Sequence, residues 1–188
     1  GWALDYLSNL KTDQWLRKDA SEAIFPNQLE PILYITGRGG SLDHGYATVL
    51  KERCFDFDGV EINHAFLRLN HDDQLKILTE ILEEYSQSTI IANSYGAYLV
   101  LCVLTQSAMI LNNVFLHSPI TGSARSEGHY FRPAGAKAVE LAIQNSNFLG
   151  QIKNLSVVVG NDDVQCDPRR CGLMASAFRG LMTAIPNQ

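Results

Sequence analysis

The chain lacks any apolar run approaching the roughly 18 residues that would span a bilayer, so no transmembrane helix is expected in its 188 residues. It also lacks a basic stripe. Its 15 Lys and Arg stand against 20 Asp and Glu, a net charge of -5, which argues against nucleic acid as a partner. The first residues, Gly1-Trp2-Ala3-Leu4-Asp5, have neither the basic start nor the apolar core of a secretory leader. A cytoplasmic protein is therefore expected. Cysteine is sparse: Cys54, Cys102, Cys166 and Cys171. Cys102 falls in an apolar helical pattern and reads as core. Cys54 reads as a helix-to-strand junction. The spacing of Cys166 and Cys171 is not a usual zinc spacing, and a cytoplasmic setting disfavours a disulfide between them. No repeat, linker or low-complexity tract is present, and no histidine follows His129.

What is present is an ordinary globular composition, 46% hydrophobic and 19% charged. A chain of this length forms one domain, 1–188, and can bury roughly 70% of its unfolded surface without disulfides or metals. Short apolar runs alternate with helical patterns, which argues for βαβ units and a mostly parallel sheet. The first thirty residues read as helical, with Trp2, Leu4, Leu7 and Leu10 on one edge, and then as loop. Strands are expected at Ile32 to Thr36, Phe55 to Ile62, Thr89 to Asn93, Asn113 to His117, Leu155 to Val159 and Leu181 to Ile185. Helices are expected at Leu42 to Arg53, from Asn70 as cap through Tyr85, Tyr95 to Gln106, Ala134 to Gln144 and Pro168 to Phe178. The polar stretch Ser118 to Pro133 reads as a small lid or substrate-facing loop.

The densest chemical signal is Ala92-Asn93-Ser94-Tyr95-Gly96. A β-branched strand leads in and an almost wholly apolar helix leads out. A serine is a poor nucleophile unless exposed, aligned and deprotonated by a neighbour. A tight strand-to-helix turn supplies the exposure, and the helix start supplies N–H groups for an oxyanion. The stretch Ile91 to Ala97 resembles the Gly-Asn-Ser-Tyr-Gly-Gly elbow of the α/β-hydrolase superfamily, with Ala92 and Ala97 in place of two glycines. From about Pro31 onward the chain is similar to a small esterase-like member. The resemblance implies a three-layer α/β/α sandwich with little or no cap, Ser94 as nucleophile, and oxyanion amides from Arg38, after Thr36-Gly37, and from Tyr95. The turn Gly37-Arg38-Gly39-Gly40 could instead cradle a phosphate, but Leu42 occupies the place of a third fingerprint glycine and no P-loop lysine follows.

The resemblance also implies an acid in the Gly-x-x-Asp turn Gly160-Asn161-Asp162-Asp163. The spacing selects Asp163, with Asp162 as fallback; the alternative is that both only cap a turn. The usual base is a histidine beyond the last strand. The sequence stops at Gln188, near where that residue would stand, so the expectation is a C-terminal end truncated before the histidine loop. The competing explanations are a catalytically inactive binding protein and a substitute base. His117, at the end of a strand expected beside that of Ser94, is the best substitute; His44, His64, His71 and His129 read as surface residues. The expected activity is hydrolysis of a carboxylic ester or thioester through an acyl-serine. The partner would be a small-molecule ester or thioester, with no metal or organic cofactor and no membrane or nucleic acid. The oligomeric state is open.

Overall fold

The structure is a computed structural model that describes residues 12–19, 31–53, 56–122, 124–126, 129–145, 147, 150–161, 163, 165–177 and 181–185. In chain order the strands are β1 (Leu16–Arg17), β2 (Ile32–Ile35), β3 (Phe57–Val60), β4 (Thr89–Asn93), β5 (Leu111–His117), β6 (Ala124–Ser126), β7 (His129–Phe131), β8 (Ile152–Gly160) and β9 (Leu181–Ile185). The helices are α1 (Tyr46–Glu52), α2 (His64–Leu67), α3 (His71–Glu84), α4 (Ser94–Gln106), α5 (Ala136–Gln144) and α6 (Pro168–Ala177). Seven strands form one sheet in the order β1-β3-β2-β4-β5-β8-β9. All neighbours are parallel except β1, which runs antiparallel to β3.

Side chains alternate across the sheet, as the strand period of two requires. Leu33, Ile35, Ile90, Ala92, Val114, Leu116, Leu155 and Val157 pack on one face with α3 and α4 residues such as Leu78, Leu82, Leu99 and Val103. Tyr34 and Phe57 lie on the other with Ala47 and Leu50 of α1. Helices thus cover both faces. Right-handed crossovers explain this: β2 connects through α1 to β3 on one side, and β4 connects through α4 to β5 on the other. The carboxyl ends of β2 and β4 therefore flank a topological switch point, where open α/β sheets place their ligand crevices.

The six parallel strands centre on the expected runs, and two of them, β4 and β9, match residue for residue; the edge strand β1 falls where no strand is expected. Asn70 caps α3, its Oδ1 accepting from the Asp73 N–H at 2.9 Å. Other boundaries differ. Helix α1 starts at Tyr46 rather than Leu42. The Leu42 N–H is taken by the Glu61 carboxylate at 2.8 Å, and its buried side chain packs on Gly59. The stretch read as helical near the N-terminus is described only from residue 12, where a short 3-10 turn leads into β1. Trp2, Leu4, Leu7 and Leu10 lie outside the described residues, as do Cys54 and Asp162. The polar stretch after β5 contains a hairpin, β6 with β7. Cys102, Cys166 and Cys171 are buried free thiols.

Candidate functional site

Helix α4 carries ten consecutive buried residues, Tyr95 to Leu104. A helix this apolar can only run through the core, so its first turn is fixed at the sheet edge. Ser94 sits at that start, half-buried, with φ of 48°. A non-glycine residue there is strained by about 1–3 kcal/mol. Gly96 makes the turn feasible: a Cβ on it would lie 2.2 Å from the Thr36 carbonyl oxygen and 2.8 Å from Ile35 Cγ2. The end of β2 therefore presses directly on the first turn of α4.

The glycine turn after β2 closes over the same place. A Cβ on Gly37 would stand 3.3 Å from Ser94 Cβ and 3.3 Å from Asn93 Nδ2. Arg38 is exposed, and its guanidinium is close enough to counter the upward shift that burial, with Cys102, imposes on the Tyr95 phenol. Arg38 follows Gly37 in this turn, and Tyr95 follows Ser94 in the chain. Thr36, to which the sequence assigns no role of its own, is 1% exposed, with its N–H and its Oγ1 both hydrogen-bonded. Its signal in the sequence was a small polar β-branched residue ending an apolar strand before glycine.

His117 ends β5 in register with Asn93 on one side and Val158 on the other. Its ring stacks on Tyr46 at 5.3 Å and 16°, and its Nδ1 is buried without a hydrogen-bond partner. Burial holds its pKa below the ordinary 6.5, and the Asp163 carboxylate opposes that shift. An imidazole so placed is neutral near pH 7 and able to accept a proton. Asp163, half-buried after β8, accepts through Oδ1 from the Gln165 and Cys166 N–H groups, each at 2.9 Å. It does what the turn-capping alternative expected and is also near enough to be felt by His117, Cys166 and Cys171. Among the described residues no hydrogen bond joins Ser94, His117 and Asp163.

Of the remaining histidines, His44 and His64 are exposed as expected, and the side chain of His129 lies outside the described set. His71 is a correction. It is half-buried, both ring nitrogens are shut off from water without partners, and burial lowers its pKa. It packs against Gly135, whose Cβ would stand 3.0 Å from His71 Nε2 and 3.3 Å from the Tyr98 hydroxyl. Among the described residues no cluster of three His, Cys, Asp or Glu is placed to hold a metal ion. No described helix is long and apolar enough to cross a membrane.

The fold recurs in solved structures. The ydeN gene product of B. subtilis superposes with a TM-score of 0.63 at 15% identity, covering 85% of this chain and 86% of its own. A monoacylglycerol lipase from Paleococcus ferrophilus gives 0.60 at 11% identity, covering 83% and 84%. The chain has the α/β-hydrolase fold. Est1E from Butyrivibrio proteoclasticus shares it too, with a TM-score of 0.61 at 9% identity and coverage of 93% and 83%. At the level of sequence no family model matches the chain, and no curated protein matches it.

Proposed function

We propose that this protein is a serine hydrolase that cleaves a small carboxylic ester or thioester through an acyl intermediate on Ser94. The observation that carries the reading is the left-handed Ser94, φ 48°, at the switch point and against the Gly37 backbone. Strain of this kind persists only where the surrounding structure over-determines it. Here it turns the serine into a nucleophile elbow at the start of a buried helix. The substrate carbonyl would lie over Ser94, and the Arg38 and Tyr95 N–H groups would receive its oxygen as negative charge develops. The structural neighbours include a lipase by name, which favours ester chemistry.

His117 is the imidazole this chain supplies as base, and Asp163 is the carboxylate that stabilises its cation. Proton transfer then runs from Ser94 to His117 during acylation, and from His117 to the departing alkoxide or thiolate. Water repeats the sequence to release the acid. The test is hydrolysis of a short-chain aryl ester by the protein, its Ser94→Ala variant and its His117→Ala variant. The reading expects turnover that Ser94→Ala removes and that His117→Ala lowers by about 10³-fold or more. Activity untouched by His117→Ala would remove that residue as base while leaving Ser94 in place.

One observation favours a second reading, an inactive binding protein on the same fold: the absence, among the described residues, of any hydrogen bond joining Ser94, His117 and Asp163. Catalytic hydrogen bonds are often long before substrate arrives, which keeps the hydrolase reading first. A folded sample inert to ester and to a fluorophosphonate probe would favour the binder.

A further inference from the structure

We infer that Thr36 is a positioning residue that sets the direction of the Arg38 N–H, and hence the strength of the oxyanion site. The inference rests on the hydrolase reading above and gives a role to Thr36, which that reading leaves without one. Thr36 follows β2 and is 1% exposed. Its own N–H donates to the Val60 carbonyl at 3.0 Å. Its Oγ1 accepts from the Ile62 N–H at 2.9 Å and donates to the Gly37 carbonyl at 3.1 Å. The Gly40 N–H reaches the same Gly37 carbonyl at 2.9 Å. Two donors therefore converge on one oxygen.

That oxygen belongs to the peptide group whose nitrogen is Arg38. A trans peptide is planar, with its carbonyl and its N–H on opposite sides. Holding the Gly37 oxygen toward Thr36 and Gly40 turns the Arg38 N–H the other way, away from Thr36. Three further contacts lock the turn. Gly39 N–H donates to the Ile62 carbonyl at 2.7 Å. A Cβ on Gly40 would come within 2.7 Å of Thr36 Cβ and 2.9 Å of its Oγ1. The Thr36 carbonyl abuts Gly96 beside Ser94. One hydroxyl thus ties the segment after β3, at Ile62, to the glycine turn and, through its own residue, to the Ser94 turn. An oxyanion donor fixed before reaction costs no reorganisation when the charge appears, and this hydroxyl provides that fixing.

The test compares Thr36→Val, which keeps the shape and removes the hydroxyl, with Thr36→Ser, which keeps the hydroxyl. The readouts are kcat and KM for a short-chain aryl ester, with circular dichroism to verify folding. The inference expects Thr36→Val to lower kcat by about 10–100-fold, a fraction of the loss from deleting an oxyanion donor, with KM changed less than threefold, about. Thr36→Ser should restore most of kcat. Thr36→Ala serves as the second hydroxyl-free variant if the valine variant does not fold. A folded hydroxyl-free variant with native kcat overturns the inference and leaves the reading intact, provided Ser94→Ala still abolishes turnover. Equal loss in Thr36→Ser and Thr36→Val also overturns it, because the hydroxyl would then not be the cause. Turnover that survives Ser94→Ala, or is absent from the native chain, overturns the reading and the inference together.

Discussion

Two adjacent strands end in the same unusual way. β4 ends at Asn93 and β5 at His117, a register pair, and each is followed by a serine in the left-handed region, Ser94 at φ 48° and Ser118 at φ 45°. Their surroundings differ. Ser94 opens a buried helix and lies under Gly37 and beside Gly96. Ser118 precedes Pro119, donates its N–H to the Val158 carbonyl at 2.7 Å, and receives the Cys166 thiol on its own carbonyl. The first turn faces a helix N-terminus and a glycine loop. The second diverts the chain off the sheet and is pinned by backbone and thiol bonds. Equal strain therefore does not mean equal chemistry; what the strained residue faces decides.

The largest effect should come from the close approach that only the Ser94 turn requires. Gly96→Ala would force a methyl into the Thr36 carbonyl, and backbone cannot yield as a side chain can. A loss of at least about 2 kcal/mol in denaturant unfolding is expected, together with loss of ester turnover. Native stability in that variant would mean that α4 and β2 are not in such contact.

Next comes activity at the two serines. Ser94→Ala should abolish turnover, whereas Ser118→Ala should stay within about threefold of native, since its backbone bonds survive the substitution. Comparable losses at both would erase the distinction drawn between the turns.

Stability should treat the two alike. Glycine adopts the left-handed region without the Cβ penalty of about 1–2 kcal/mol that L-residues meet there. Ser94→Gly should therefore be more stable than Ser94→Ala by about 1 kcal/mol, and Ser118→Gly more stable than Ser118→Ala by a similar margin. Alanine equal to glycine at either site would deny the left-handed backbone there.

The smallest effect concerns pH. Burial lowers the pKa of His117 and His71 below 6.5 in the folded chain. As pH falls through 6.5 the unfolded chain takes up protons that the folded chain refuses, so stability rises with pH across this window and falls on acidification. The loss is complete once pH drops below the folded values. Denaturant midpoints at about pH 7 and about pH 5 should separate less in His71→Gln and in His117→Gln than in the native chain. Unchanged separation in both would show that neither ring is held neutral by burial.

Much of this architecture was legible in the sequence because its signals are local. Thr89 to Asn93 is a β-branched and apolar run ending where helix α4 begins, and Asn70 is a strong N-cap whose acceptor the helix start needs. The strand-to-helix turn at Ser94 was legible through the change from a β-branched strand to an all-apolar helix. What was not legible depends on distant partners. A two-residue strand such as β1 carries no alternation to read, and it exists because Leu16 and Arg17 pair with Val60 and Gly59. His71 stands where a first-turn residue normally meets water, and Gly135, far along the chain, packs against it. Thr36 gains its meaning only when Ile62, Gly40 and Gly96 converge on it.

The most direct test of the account is covalent labelling of the native protein with a fluorophosphonate, followed by peptide mapping. The account predicts one phosphonylated residue, Ser94, with no label in Ser94→Ala and undiminished label in Ser118→Ala. Label on Ser118 or elsewhere, or a folded protein that resists the probe entirely, would contradict it.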